Sequence, residues 1–148
     1  MRQSSAADKN KEKDMRILAV DDEYAALTKM VALMSEYGQC DAATNGKQAL
    51  ELFRKALLRG HPYDLITIDI EMPEINGIQL LHELNEREMT TAKRAIKMVV
   101  SVASTTRNIL QAAANQCDAF IVKPVKRAVL IEKMAQFGFT PQMFATKR

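Results

Sequence analysis

From Met15 onward, short apolar runs alternate with longer amphipathic segments. Residues 16–20 (RILAV) predict a strand that stops at Asp21-Asp22. Leu27, Met30, Val31 and Met34 then recur at i, i+3, i+4 and i+7, the spacing of one helical face, and Gly38 is placed to end that helix. Residues 39–43 predict a weaker second strand, Asn45-Gly46 a turn, and Ala49, Leu50, Phe53 and Leu57 a second helix. The clearest strand is 65–68 (LITI): β-branched, continuous, bounded by His61-Pro62 and Asp69, a pattern that predicts burial on both faces. Asn76-Gly77 leads into a third helix through Ile78, Leu81 and Leu84. Residues 96–100, 105–115, 119–122 and 126–137 complete the alternation as strand, helix, strand and helix, the last with Leu130, Met134 and Phe137 on one side.

Five strands alternating with five helices predict an α/β fold: a doubly wound parallel sheet with helices on both faces. In such sheets the ligand site lies beyond the carboxyl ends of the strands, at the point where the strand order reverses. The residues that end each strand therefore matter most.

Composition narrows the picture. A chain of 148 residues with 47% hydrophobic content fills one core, expected over residues 15–137. Residues 1–14 are polar and charged without an apolar period, which predicts a disordered extension, and 138–148 form a short tail. The tail is too short for a DNA-binding or catalytic domain, so a signal is expected to leave through another protein. No apolar run approaches the roughly 18 residues of a membrane helix, and the start has no secretory signal, so a cytoplasmic protein without a membrane partner is expected. The net charge of +3 comes from the ends, where Arg2, Lys9, Lys11 and Lys13 outnumber Asp8, Glu12 and Asp14, and Lys147 and Arg148 stand unopposed. The body is neutral, which gives no electrostatic footprint for nucleic acid. Cys40 and Cys117 fit neither a CxxC spacing nor a zinc cluster and read as reduced thiols. His61 and His82 attract no catalytic role, the nine methionines read as core, and Lys93, Arg94 and Lys97 read as a solvated loop.

The polar residues at the strand ends are Asp21 and Asp22, Asp69, Ser101 and Lys123. Parallel neighbours lie about 4.8 Å apart, so these groups converge on one edge. Three adjacent carboxylates repel, and a hard divalent cation such as Mg²⁺ relieves them while leaving room for phosphate oxygens. A metal, a nucleophilic carboxylate, a lysine and a hydroxyl suit phosphoryl transfer onto an aspartate, with Asp69 the central candidate. Taken singly, each residue has a plainer explanation: Asp21 and Asp22 favour the positive end of a helix, Asp69 caps a turn, Lys123 is a surface lysine and Phe120 is core. Their joint order is what those explanations do not require.

The pair in LAVDDE, the run DIEMPEING from Asp69, Ser101 ending MVVS, and Lys123-Pro124 ending AFIVKP together resemble the receiver domain of two-component response regulators, in its single-domain, chemotaxis-regulator-like form. The spacings of 47, 32 and 22 residues between Asp22, Asp69, Ser101 and Lys123 suit that family. The resemblance implies a flavodoxin-like (βα)5 fold with strand order 2-1-3-4-5. It implies that Asp69 is the phosphoacceptor, served by a histidine kinase or histidine phosphotransfer protein. Mg²⁺ is implied as cofactor, held by Asp22, by Asp21 mostly through water, by Asp69 and by the Glu71 carbonyl. Lys123 would pair with phosphoryl oxygens, and Pro124 is expected to follow a cis peptide. Ser101 would swing to the phosphate while Phe120 turns inward, shifting a pre-existing equilibrium toward an altered face built from the fourth helix, fifth strand and fifth helix. A downstream protein would read that face, which is expected to include residues 105–115, Phe120, Lys126 and Arg127.

Val102 stands where the family commonly has a smaller residue, and a bulkier side chain there is expected to narrow access to the phosphoryl group. Glu71 and Ala103 occupy positions that tune its lifetime. The leading expectation is a stand-alone receiver, not an enzyme beyond its own phosphorylation and dephosphorylation. A phosphorelay intermediate that passes the group on is the alternative. An aspartyl-nucleophile phosphatase ranks lower: haloacid-dehalogenase-like enzymes carry an Asp two residues after the nucleophile, where this chain has Glu71, and place that motif early in the chain. A degenerate receiver working without phosphate ranks lowest.

Overall fold

The computed structural model describes residues 15–102 and 106–142. The strands are β1 (Met15–Val20), β2 (Gly38–Ala43), β3 (Leu65–Asp69), β4 (Ile96–Ser101) and β5 (Ala119–Val122). The helices are α1 (Tyr24–Met34), α2 (Gly46–Leu58), α3 (Gly77–Arg87), α4 (Thr106–Ala114) and α5 (Arg127–Gln136), with a 3₁₀ turn at Glu88–Thr90. All strand pairs are parallel, in the order β2-β1-β3-β4-β5. The order reverses between β1 and β3, which places the expected ligand edge at Asp21 and Asp69.

Alternation along each strand divides the core in two. Leu18, Val20, Ile66, Ile68 and Val99 face α2, α3 and α4, meeting Phe53, Leu80, Leu81, Leu84 and Ala112. Ile17, Ala19, Leu65, Met98, Val100 and Ile121 face α1 and α5, meeting Leu27, Met30, Met34, Leu130 and Met134. Each fully buried large apolar side chain contributes about 1.5–3 kcal/mol relative to exposure. β3, buried along its whole length, is the centre of both layers.

Gly38, Asn45-Gly46 and Lys97 take other roles in the folded chain than their local reading, while Asn76-Gly77 opens a helix as expected. Gly38 does not end α1; Ser35 caps that helix and Gly38 opens β2. A Cβ on Gly38 would stand 2.3 Å from the carbonyl oxygen of Met15, so the glycine permits edge strand β2 to begin side by side with β1. The two Asn-Gly pairs are helix starts. Asn45 Oδ1 accepts from the Gln48 amide at 2.7 Å, and Asn76 Oδ1 accepts from the Gln79 amide at 2.9 Å while the Gln79 side chain accepts from Asn76 N. These satisfy amides that a helix N-terminus leaves open. Lys97 is not in a solvated loop: it is fully buried in β4, paired with buried Glu88, whose other carboxylate oxygen accepts from Ala95 N at 2.8 Å.

His61 and His82 are exposed. Cys40 and Cys117 are free thiols pushed up from their ordinary range by burial, Cys40 to about 12, so neither is a reactive thiolate. No helix among the described residues is long and apolar enough to cross a membrane. The expected extension over 1–14 and most of the tail lie outside the described residues, but Phe139 packs on the α1/α5 core and Gln142 N donates to Glu36 O at 2.6 Å.

Candidate functional site

Asp21 follows β1 and Asp69 ends β3, the two strands that flank the reversal. Both are buried, Asp22 is exposed, and one carboxylate oxygen from each of the three lies within 4.8 Å of the others. Asp21 is held at both oxygens: Oδ1 accepts from Glu23 N at 2.9 Å where α1 begins, and Oδ2 accepts from Lys123 Nζ at 2.7 Å. Lys123 Nζ also stands 3.4 Å from Asp69 Oδ1, so one ammonium bridges the two buried carboxylates. Lys123 N donates to Ser101 O at 2.8 Å, and the Lys123–Pro124 peptide is cis.

The loop after Asp69 is tightly drawn. Gly77 N donates to Ile70 O at 2.9 Å and Ile70 N to Val100 O at 3.3 Å. A Cβ on Gly77 would lie 2.2 Å from Asp69 O, so only glycine lets α3 start this close to the end of β3. Glu74 reverses the chain in the left-handed region at φ 65°.

Burial pushes the Asp69 carboxyl up to about 7; the negative charges of Asp21 and Glu71 push the same way, and Lys123 opposes them. For Lys123, burial alone lowers the ammonium, but the hydrogen bond to Asp21 and the charge of Asp69 outweigh it and the net shift is upward. The site is thus short of positive charge. Asp69 Oδ1 is buried without a hydrogen-bond partner, and the converging donors are all oxygens, the set a hard divalent cation takes. These residues fit Mg²⁺.

The remaining candidates are spread around this centre. Ser101 is fully buried at the end of β4, and its Oγ donates to the Glu71 carboxylate, 3.0 Å from Oε1 and 2.9 Å from Oε2. Glu71 thus also contributes its side chain, which spacing could not reveal because the contact spans 30 residues. Phe120 is half-buried on the α2/α3/α4 face; it pairs with Val99, while Ser101 pairs with Val122 further along. Val102 is 65% exposed and lines a cleft of about 350 Å³ with Ala25, Met30, Lys123, Pro124 and Val125. Ala103 lies outside the described residues. On the α4–β5–α5 side, Ile109, Leu110 and Val122 are exposed apolar residues. Arg127, in contrast, is tied back to Glu36 by two hydrogen bonds, at 2.7 and 3.2 Å.

The family model of the response regulator receiver domain matches residues 17–135. The chain is 30% identical over 123 residues to the chemotaxis protein CheY of Thermotoga maritima, covering 80% of this chain and 93% of that protein. It is likewise 30% identical over 129 residues to the hybrid signal transduction histidine kinase L of Dictyostelium discoideum, covering 83% of this chain but only 7% of the kinase. Among solved structures, a chain of the CheX–CheY–BeF3–Mg²⁺ complex from Borrelia burgdorferi superposes with a TM-score of 0.71 at 25% identity, covering 83% of this chain and 89% of that one.

Proposed function

The chain belongs to the response regulator receiver family, and from that premise we propose that Asp69 accepts a phosphoryl group from a phosphohistidine on a histidine kinase or phosphotransfer protein. The observation that carries the reading is the placement of Asp69: buried at the end of β3, within 4.8 Å of Asp21 and Asp22, with Lys123 Nζ at 3.4 Å. A carboxylate oxygen of Asp69 attacks phosphorus, the P–N bond breaks, and its electron pair stays on the ring, which, already protonated on its other nitrogen in the phosphohistidine, leaves as neutral imidazole. Asp21, Asp22, Asp69 and the Glu71 carbonyl would hold Mg²⁺. Bound there, the cation supplies positive charge that keeps the acidic cluster ionised and offsets the charge of the transferring group. Lys123 supplies the protein's own positive charge to the phosphoryl oxygens, and Ser101 supplies a hydroxyl donor.

Signal output follows as a shift between two arrangements of Ser101 and Phe120 that alters the α4–β5–α5 face. A downstream cytoplasmic protein reads Ile109, Leu110 and Val122 there. Coverage of nearly the whole length of the Thermotoga protein supports action as a single-domain receiver. The match to a hybrid kinase supports a second reading, a relay that hands the group to a histidine phosphotransfer protein, and reverse transfer to a purified partner of that kind separates the two.

Intact-protein mass after incubation with Mg²⁺ and acetyl phosphate or phosphoramidate tests the chemistry. One added phosphate that needs Mg²⁺ and vanishes in Asp69→Asn is expected; no adduct with either donor or with a phosphorylated kinase overturns the reading. Val102 lines the cleft beside Lys123, so Val102→Ala is expected to speed labelling by acetyl phosphate or loss of the phosphoryl group. Unchanged rates for both would remove that role.

A further inference from the structure

The Ser101 hydroxyl is committed in this structure. Its Oγ lies 3.0 and 2.9 Å from the two carboxylate oxygens of Glu71, and the residue itself is fully buried. A hydroxyl has one proton to donate. If Asp69 takes a phosphoryl group, the reading on which this inference rests, Ser101 has to choose between that group and Glu71.

We propose that Glu71 is a positioning residue that latches Ser101 in the unphosphorylated arrangement and sets how readily the phosphorylated one is reached. Three features carry this. The bond is charge-assisted, and such bonds are roughly twice as strong as neutral ones. The loop bearing Glu71 is pinned at its base by Ile70 N to Val100 O and by Gly77 N to Ile70 O, so the latch opens by rotation of the Glu71 side chain rather than by loop movement. Glu71 is exposed whereas Ser101 is buried, so a released carboxylate returns to water at little cost while the buried hydroxyl turns to its new acceptor.

A phosphoryl group supplies that acceptor and repels the Glu71 carboxylate, so formation of the adduct and release of the latch are one event. Until then the latch keeps the donor away from Asp69. A side chain at this position with no acceptor removes Glu71 as a competitor for the hydroxyl.

Titration of beryllofluoride, a phosphoryl analogue, in the presence of Mg²⁺ tests the latch, with binding read from amide NMR signals of the full chain. Glu71→Ala is expected to bind about tenfold more tightly than wild type, the scale of one charge-assisted hydrogen bond. Glu71→Gln, which keeps an acceptor without the charge, is expected to fall between them. In a Ser101→Ala background the gain from Glu71→Ala is expected to disappear. A gain that survives there in full would show that Glu71 acts only by repelling the anion, and equal affinity of wild type and Glu71→Ala would likewise overturn the latch. Both outcomes leave phosphorylation of Asp69 standing. Absence of beryllofluoride binding and of a covalent adduct in every variant overturns the receiver chemistry itself, and the latch with it.

Discussion

Lys123 Nζ donates to Asp21 Oδ2 at 2.7 Å across 102 residues of sequence, and the pair is largely shielded from water. This contact offsets part of the repulsion within the acidic cluster at the switch point of the sheet. It also means that a divalent cation entering the acidic cluster would meet an ammonium already bound to Asp21.

Replacing Lys123 by Ala therefore has opposite effects on two measurements. The phosphoryl group loses its protein-borne positive charge, so the Mg²⁺-dependent mass increase is expected to vanish. Mg²⁺ itself, freed from a like charge nearby, is expected to bind about tenfold more tightly in a calorimetric titration.

Asp69 makes the metal-free protein sensitive to pH. Its folded carboxyl titrates near 7 because of burial and the charge of Asp21, against about 3.9 in the unfolded chain. Between those values the folded state binds the extra proton, so stability is highest at the acid end, falls as pH rises from about 4 to about 7, and is level above. Urea midpoints of metal-free protein at pH 5 and pH 7.5 are expected to show that fall. Asp69→Asn is expected to flatten it and to be more stable than wild type at pH 7.5 by on the order of 2 kcal/mol. Added Mg²⁺ is expected to offset the loss in wild type alone.

The buried Lys97–Glu88 pair joins the 3₁₀ turn after α3 to the middle layer of the sheet, and burial lowers the Lys97 ammonium below its usual range while Glu88 holds it up. Removing one partner leaves an uncompensated charge in the interior. Glu88→Ala is expected to cost about 3–5 kcal/mol by urea denaturation, and a Glu88→Leu, Lys97→Met double variant to recover most of it.

Gly77 has no room for a side chain, since a Cβ would meet Asp69 O at 2.2 Å and Ile70 Cα at 2.6 Å. Gly77→Ala is expected to lower stability by about 2–4 kcal/mol and to slow labelling of Asp69, because the backbone that must yield is that of Asp69 itself. Gly60 supplies the contrast: its φ is +75° but nothing lies within 4 Å of its would-be Cβ. Gly60→Ala is expected to cost only about 1–2 kcal/mol and to leave labelling unchanged.

Much of this protein is local in origin and so was legible along the chain. Periodicity marked every strand to within one residue and located all five helices, because a face that must be buried repeats at the pitch of its own element, but it did not fix where α1 and α3 end. The polar residues ending the strands marked where Asp21, Asp69 and Lys123 converge, because parallel strands deliver their carboxyl ends to one edge. What the chain concealed depends on partners remote in sequence. Lys97 reads as one more cation beside Lys93 and Arg94 until the fold buries it against Glu88. Gly38 reads as a helix stop until the Met15 backbone is laid against it. The pairing of Arg127 with Glu36 spans 91 residues and has no local signature. The Glu71–Ser101 contact has no sequence signature, since a side chain on one loop reaches the end of another strand only after the sheet has set their separation. Sequence alone determined which elements form and which chemistry they carry; tertiary structure decided which charges are buried, which hydroxyl is engaged and which glycines are irreplaceable. Those properties belong to distances between elements, and no residue's near neighbours encode them.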